Sequence, residues 1–486
     1  MHSEDSRPAP DKFAYLEEMV TPGGGPHLFA LLEPKHIKTA AGLMLHDPAR
    51  FSKLRAKLGG FTEKGEWLKQ VKAVARNSVQ DRGREIADEK RGEALDAARE
   101  AGKPVLDKGR PVEAAEAFRA AERPNLLHLG EHFLDYFDGA YVPVEDREIT
   151  AALQAFMRSG VDSETAEPYV VGPREVEGVT EALRNDAFVH ADRHDPPCWL
   201  RPDDLDPDPR MVISVTNGLL DIQSGQLMRH TPRFFTRNAL GYAYDPAATA
   251  PIWEAFLESI WPDDEGGAEN KAALQEVFGY LLTNETGFQK VFMLIGAPNA
   301  GKGVIARVIE MLLGSGNVAT QSVVKLGKDF GLKILLGKQA LIVPDLRLGK
   351  GIDLARIVEM LLSISGEDRV AVGRKFEDDV NLRLHTRIVL VANMEIILPD
   401  HTGAMRRRLV PLVLPKSFEG KEDIHLTEKL ASEMPGILNW ALEGLRRLDA
   451  RRDPVTGLQK GFVLTTAGAK MVQSIAPRLA GAYVPP

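Results

Sequence analysis

Cysteine is almost missing from this 486-residue chain, where Cys198 stands alone. A single thiol excludes an intramolecular disulfide and a cysteine zinc cluster, and it fits a reducing compartment. The N-terminus, MHSEDSRPAP, lacks the basic region and apolar run of a secretory signal. Long apolar stretches are missing too: QALIVPDL and RIVLVANMEIIL stop far short of the roughly 20 residues that cross a membrane. These absences predict a cytoplasmic protein with no membrane partner. No internal repeat or low-complexity tract is present. Nor is there an excess of positive charge: the net charge of −8 argues against a surface that coats nucleic acid all over. A local positive channel stays compatible with it.

What is present is the composition of a globular protein, 44% hydrophobic and 27% charged, at a length that predicts two to four domains. Residues 1–120 read as a helical, highly charged accessory region. EKRGEALDAAREAGKPVLDKGRPVEAAEAFRAAE places Ala and charges at helical spacing, which favours solvated helices over a deep core. Such a region serves as a partner- or DNA-binding accessory, or as a plain spacer. Residues 121–250 read as a mixed α/β module: DGAYVPV and RMVISVTNGLLDIQSGQLMRHTP hold short strand patterns broken by Asn-Gly and Ser-Gly turns. The proline-rich DPPCWLRPDDLDPDP (195–209) reads as a surface loop. Residues 251–415 read as a helical collar, PIWEAFLESIW and ALQEVFGYLLTNE, followed by an α/β core. Residues 416–486 read as a C-terminal helical region.

The core opens with VFMLIGAPNAGKGVIARVIEMLLG. Val291–Ile295 has a buried-strand pattern, a G-x-x-x-x-G-K loop follows, and an apolar helix starts directly after. This order suits phosphate binding: Gly296 and Gly301 let the loop turn its N–H groups inward, and the helix N-terminus adds its dipole. The expected ATP-binding stretch is Gly296, Ala297, Pro298, Asn299, Ala300, Gly301, Lys302, Gly303 and Val304, with Lys302 as the cation for the terminal phosphates. The residue after Lys302 is Gly303 and not Ser or Thr, so the hydroxyl that usually ligates Mg²⁺ is not at its expected place.

Three further elements follow in order. Ala340–Val343 is a strand pattern that delivers Asp345, 43 residues after Lys302, to position Mg²⁺ or the attacking water. No Glu follows it; Asp345 serves both purposes, or Glu359 or Glu367 assists. RIVLVANMEI ends a strand at Asn393, a candidate for holding the water or sensing the γ-phosphate. GAMRRRLV brings Arg406, Arg407 and Arg408, read either as a source of an arginine finger or as a solvated or nucleic-acid-facing edge. Between the acidic and Asn strands, EDRVAVGRKFEDDVNLRLHTR alternates about a Gly373-Arg374-Lys375 tip, a hairpin pattern. Arg374, Lys375 and Phe376 are there either to grip a single strand or as an exposed basic tip without a ligand.

Strand, phosphate loop, acidic strand, basic hairpin, Asn strand and arginine, within residues 296–408, resemble the superfamily 3 helicases. More closely, the chain is similar to the C-terminal helicase part of phage, plasmid and poxvirus primase–helicases. NGLLDIQSGQLMRHTPRFFTRNALGYAYDP, WEAFLESIWPDD, LQEVFGYLLTNETGFQK, LLSISGEDRVAVGRKF and LASEMPGILNWALEGLRRL extend the likeness over about residues 125–450. The resemblance implies an AAA+-type P-loop ATPase core in a homo-oligomeric, usually hexameric ring, which uses ATP and Mg²⁺ to pull single-stranded DNA and unwind forked or origin duplex. It implies Arg408 as the finger, ahead of Arg407, with the set Lys302, Asp345, Asn393 as the rest of the machinery. Relatives with a GKG loop commonly have Thr at the next position, where this chain has Val304. Many relatives carry an N-terminal primase domain; residues 1–120 lack zinc-ribbon cysteines and an Asp-x-Asp constellation, so primer synthesis or initiation is expected from a separate partner. The expectation is a replicative helicase of a phage or mobile element, working in the cytoplasm of a bacterial host. The alternative is an ATP-switched origin-melting or DNA-binding ring without processive unwinding.

Overall fold

The computed structural model of the chain describes residues 11, 13–20, 25–59, 61–190, 193–326, 331–346, 353–374, 377–393, 398, 402–451 and 461–475. In chain order the first helices are α1 (Ala14–Glu18), α2 (Pro34–His46), α3 (Pro48–Lys57) and α4 (Lys64–Glu100). A mixed stretch follows: β1 (Val105–Leu106), α5 (Pro111–Glu122), β2 (Leu127–Leu129), β3 (His132–Phe137), β4 (Ala140–Val144), α6 (Asp146–Ser159), β5 (Val161–Asp162) and α7 (Pro173–Asp186). Short strands come next: β6 (Cys198–Trp199), β7 (Val212–Val215), β8 (Gly218–Asp221), β9 (Leu227–Met228) and β10 (Phe234–Phe235). The core then runs α8 (Pro251–Ile260), α9 (Gly267–Leu282), β11 (Val291–Gly296), α10 (Lys302–Leu313), β12 (Val318–Thr320), α11 (Val323–Leu326) and β13 (Ala340–Val343). It continues α12 (Leu354–Ser365), β14 (Arg369–Arg374), β15 (Glu377–Arg383), β16 (Arg387–Ala392), α13 (Ala404–Arg408) and β17 (Leu409–Leu414). Helices α14 (Leu426–Ser432), α15 (Met434–Asp449) and α16 (Thr466–Ile475) complete the described chain.

These elements form two compact units. One runs to Phe118 and includes Thr150–Ala182; the other combines Arg119–Ile149 with the chain from Leu183 onward. In the first unit, α1 to α4 enclose a small core in which Leu16, Ile37, Phe51, Leu54, Trp67 and Val71 are buried. Proline at the first position of α2 and of α3 donates no hydrogen bond that a helix start would need. The Asp47 carboxylate accepts from the Arg50 N–H at 2.9 Å and caps α3. Helix α4 is 37 residues long, about 55 Å. Its residues 76–91 are exposed on every side. The solvated reading of 89–122 needs correction: Ala98, Leu106, Ala114, Ala115 and Phe118 are buried, because alanines along one side of a helix let neighbouring elements approach closely.

The second unit is organised by a parallel sheet of order β12-β13-β16-β11-β17. Its strands are apolar without polar alternation because both faces are covered. Phe292, Leu294, Ile342, Val389 and Leu412 point to one core, shared with α8, α9, α10 and α15. Their neighbours Val291, Met293, Leu341, Ile388 and Leu390 point to a second, shared with α12 and α16. On the first side Trp253, Phe278 and Trp440 meet with ring centres 5.4–5.5 Å apart. The Glu433 carboxylate accepts from the N–H groups of Ile252 and Trp253, both at 2.9 Å, and so caps α8 from 180 residues away.

Antiparallel sheets β2-β3-β4 and β7-β8-β9 account for the strand patterns read in 121–250. One reading needs correction: the proline-rich 195–209 stretch is not all surface loop. Cys198 and Trp199 pair with Phe235 and Phe234, and Trp199 is buried against Phe234 at 4.8 Å between ring centres. Burying two aromatics outweighs the local loop propensity of the prolines. No described helix is long and apolar enough to cross a membrane.

Candidate functional site

Strand β11 ends at Gly296, and the chain turns through 297–301 into α10. Gly296 is required by packing: a Cβ there would lie 2.4 Å from the Leu414 carbonyl oxygen on β17. Asn299 and Gly301 both adopt left-handed backbone, with φ of 57° and 93°. A side chain at Gly301 would also meet Ile260 and Phe256, each at 3.0 Å. Among the described residues, the backbone N–H groups from Ala300 to Gly303 have no hydrogen-bond partner. Left-handed turns that line up free N–H groups at a helix N-terminus make an anion-binding concavity.

Lys302 begins α10 and is 5% exposed. Its ammonium folds back over the loop and donates to the carbonyls of Gly296 at 2.8 Å and Ala297 at 2.6 Å. Burial pushes this ammonium below the usual lysine range, and the charge of Asp345 pulls it partly back.

The sheet register decides which other groups share this edge. Ile295 pairs with Ala392 and Val343 with Leu390. Continuing that register brings Asp345 level with Ala392 and Asn393 level with Gly296. The Leu346 N–H donates to the Val391 carbonyl at 2.8 Å, which holds the Asp345 segment against β16. Asp345 is exposed and Asn393 half-buried. The loop, Lys302, Asp345 and Asn393 therefore meet at the carboxyl ends of three adjacent parallel strands, the edge where open α/β sheets hold ligands.

Arg407 and Arg408 do not join them. Both end α13, directly before β17, whose first residue Leu409 pairs with Val291, the first residue of β11. They sit at the amino edge, about 20 Å from the loop along a six-residue strand. Arg408 donates to the Leu362 carbonyl and, at 2.9 Å, to the Ser365 hydroxyl. Burial depresses its pKa, Asp368 opposes that, and Arg407 adds to it. Arg407 is exposed and reaches the Thr402 carbonyl at 3.4 Å.

The two acidic helpers also separate from Asp345. Glu367 is at the amino edge, accepting from the Thr286 hydroxyl beside Gln289, which donates to the Gly366 carbonyl. Its place as an assistant to Asp345 is thereby overturned: α12 ends on the opposite side of the sheet. Glu359 lies exposed on α12. Of the hairpin residues, Arg374 ends β14 and pairs with Glu377 across the turn, while Lys375 and Phe376 lie outside the described residues.

Sequence reasoning missed a strap after β17. The Ser417 hydroxyl donates to the Pro298 carbonyl at 2.9 Å, and the Phe418 N–H donates to the Asn299 carbonyl at 2.9 Å. No local signal marks Ser417 or Phe418, because the contact spans 119 residues. At Gly303 the space is open: an added Cβ would meet only an Arg307 guanidinium nitrogen, at 3.6 Å.

Residues 173–262 match a family model described as D5 N terminal like, and residues 294–408 match a family of unknown function. A Marchantia polymorpha chain named as an uncharacterized mitochondrial protein, ymf21, is 22% identical over 143 residues, covering 27% of this chain and 77% of that one. Solved structures of the NrS-1 C-terminal region, in apo forms, align over 75% of both chains at 8–9% identity, with TM-scores of 0.41–0.44. The D5 N-terminal-like segment lies directly ahead of the part of the chain that carries the glycine loop.

Proposed function

We propose that the chain is an ATP-dependent DNA helicase of a phage or mobile element, built on an AAA+-type superfamily 3 core that works as a homo-oligomeric, hexameric ring. The observation that carries this reading is the common carboxyl edge of β11, β13 and β16, which gathers the glycine loop, Lys302, Asp345 and Asn393. On binding ATP, Lys302 exchanges the carbonyls of Gly296 and Ala297 for the β- and γ-phosphate oxygens, and the free N–H groups of 300–303 cradle the phosphates. Asp345 would hold Mg²⁺ together with water, since Gly303 and Val304 offer no hydroxyl; the ion neutralises charge on the phosphate oxygens. Asn393 orients the attacking water.

Arg408 is too far from its own loop to act there, which supports a role toward the loop of a neighbouring copy, with Arg407 beside it. Such a finger is worth about 10³–10⁵ in rate. Arg374, Lys375 and Phe376 grip single-stranded DNA at the hairpin tip. In this division residues 251–415 are the motor and 121–250 the module ahead of it, with a separate primase or initiator as partner in the host cytoplasm.

The test is ATP hydrolysis with and without single-stranded DNA, alongside forked-duplex unwinding. Hydrolysis stimulated by DNA without any unwinding would remove the processive motor. That outcome would favour the second reading, an ATP-switched origin-melting or DNA-binding ring, for which the hydroxyl-free Gly303-Val304 pair speaks.

A further inference from the structure

The chain is acidic, yet residues 48–76 hold eight lysines and arginines against two glutamates. The first unit turns this run into a surface. Helix α3 buries Phe51 and Leu54, and α4 buries Trp67, Val71 and Ala75. The rings of Phe51 and Trp67 stack with centres 5.9 Å apart, which fixes α3 against the start of α4. With those positions inside, Lys53, Arg55 and Lys57 on α3 and Lys69, Lys72 and Arg76 on α4 are all exposed. Lys69, Lys72 and Arg76 follow i, i+3, i+7 spacing, so they share one side of α4 over about 10 Å.

Partners within the chain do not explain this concentration. Arg50 is ion-paired, to Asp11 at 2.6 Å and Glu17 at 2.5 Å. Lys53, Arg55, Lys69, Lys72 and Arg76 have no ion pair with a described carboxylate. Like charges four apart, as at Lys53 and Lys57 or Lys72 and Arg76, destabilise a helix. Farther along the same helix that penalty is avoided: Arg84 with Asp81, Arg91 with Asp88 and Arg99 with Asp96 alternate in sign at i, i+3. The like-charged i, i+4 pairs thus stop at Arg76, although the exposed helix does not; beyond it Arg82 and Lys90 stand singly among Asp81, Glu85, Asp88 and Glu89.

We infer that the face formed by α3 and the first turns of α4 binds the phosphate backbone of duplex DNA, without reading sequence. A ridge of unpaired cations attracts a polyanion and gains by releasing its counterions. Single strands are held by stacking bases on exposed aromatics among the cations. Here Phe51, Phe61 and Trp67 are all buried, so nothing on this face can stack a base. A rigid helical ridge suits the regular phosphates of a duplex. This face belongs to the first unit, whereas the glycine loop and the hairpin belong to the second, and the inference stands whether or not the chain is a motor.

The test uses the full chain without nucleotide, a random-sequence 20-base-pair duplex and a matched single strand, with anisotropy read across a salt series. Replacing Lys69→Ser, Lys72→Ser and Arg76→Ser together should weaken duplex binding at least tenfold at low salt. The slope of log K against log salt should shrink by about 2.7, at 0.9 per lost phosphate contact. Lys69→Arg with Lys72→Arg keeps the charge and should retain both, which separates charge from folding. Basal ATP hydrolysis should not change. Unaltered duplex affinity and slope overturn the inference, as does a loss confined to the single strand or to phosphatidylserine vesicles.

Discussion

Gly303 and Gly301 are two residues apart in one loop, and the structure assigns them opposite responses to a side chain. Gly303 is the second residue of α10, exposed, with helical backbone and only Arg307 near its added Cβ, at an ordinary 3.6 Å. Gly303→Ser should therefore fold. Serine is a better helix former than glycine by roughly 0.5 kcal/mol, which predicts a melting temperature raised by about 1–2 °C. Its hydroxyl stands where the general phosphate-loop motif presents a Mg²⁺ ligand. A ligand to a charged partner contributes about 1.5–3 kcal/mol, so half-saturation by Mg²⁺ in ATP hydrolysis should fall by roughly ten- to a hundredfold. Gly301→Ala is the control. Its φ of 93° and contacts of 3.0 Å to Ile260 and Phe256 add left-handed strain to overpacking, together about 2–4 kcal/mol. That variant should melt about 5–15 °C lower. Two outcomes would refute the reasoning: Gly303→Ser melting as low as Gly301→Ala, or an unchanged Mg²⁺ requirement in an otherwise active Gly303→Ser protein.

Lys302 carries a pH signature. Its pKa is depressed in the folded chain, so the folded state binds fewer protons than the unfolded one below the ordinary value of 10.5. Stability contributed by this site therefore rises as pH climbs from the lowered pKa toward 10.5, and Lys302→Met should flatten that rise in alkaline denaturation. The same depression places the alkaline fall of kcat/KM below pH 10.5. Arg408→Ala should reduce hydrolysis by about 10³-fold or more, and mixing with inactive Lys302→Ala copies should restore part of it; no recovery at any mixing ratio would exclude a shared site. Cys198 is half-buried, and burial together with the charge of Asp195 pushes its thiol up to about 11 from 9.0. Iodoacetamide should thus label the native chain about a hundredfold more slowly than the urea-unfolded chain at pH 8, a ratio read by mass spectrometry.

The parallel sheet was legible because its strands are short apolar runs of uniform burial, and Val291–Ile295 and Ala340–Val343 stand in the structure where their patterns put them. The carboxyl-edge grouping was legible for the same reason: each of Lys302, Asp345 and Asn393 follows such a run, and parallel neighbours carry their ends to one side. What local pattern could not carry is anything fixed by strand order or by distant packing. Glu367 is only 22 residues beyond Asp345 in sequence, but α12 intervenes and returns the chain to the opposite edge. Ser417 and Phe418 bind the loop only because β17 lies beside β11. Arg408 shows the difference most clearly. Its sequence offers a cation near a nucleotide loop, whereas the register of Leu409 with Val291 puts that cation a full strand length away. An arginine tethered there by Leu362 and Ser365 cannot serve its own loop without unfolding the end of α13. Any catalytic use of it requires a second copy whose carboxyl edge faces this amino edge, a head-to-tail contact between unlike surfaces. Such a contact closes into a ring when the rotation permits, and otherwise extends as a filament. Sedimentation of the nucleotide-bound chain separates these: a finite species is expected, with Arg408→Ala still assembling because its bonds lie within one chain. Loss of assembly in that variant would move Arg408 from the chemistry to the interface.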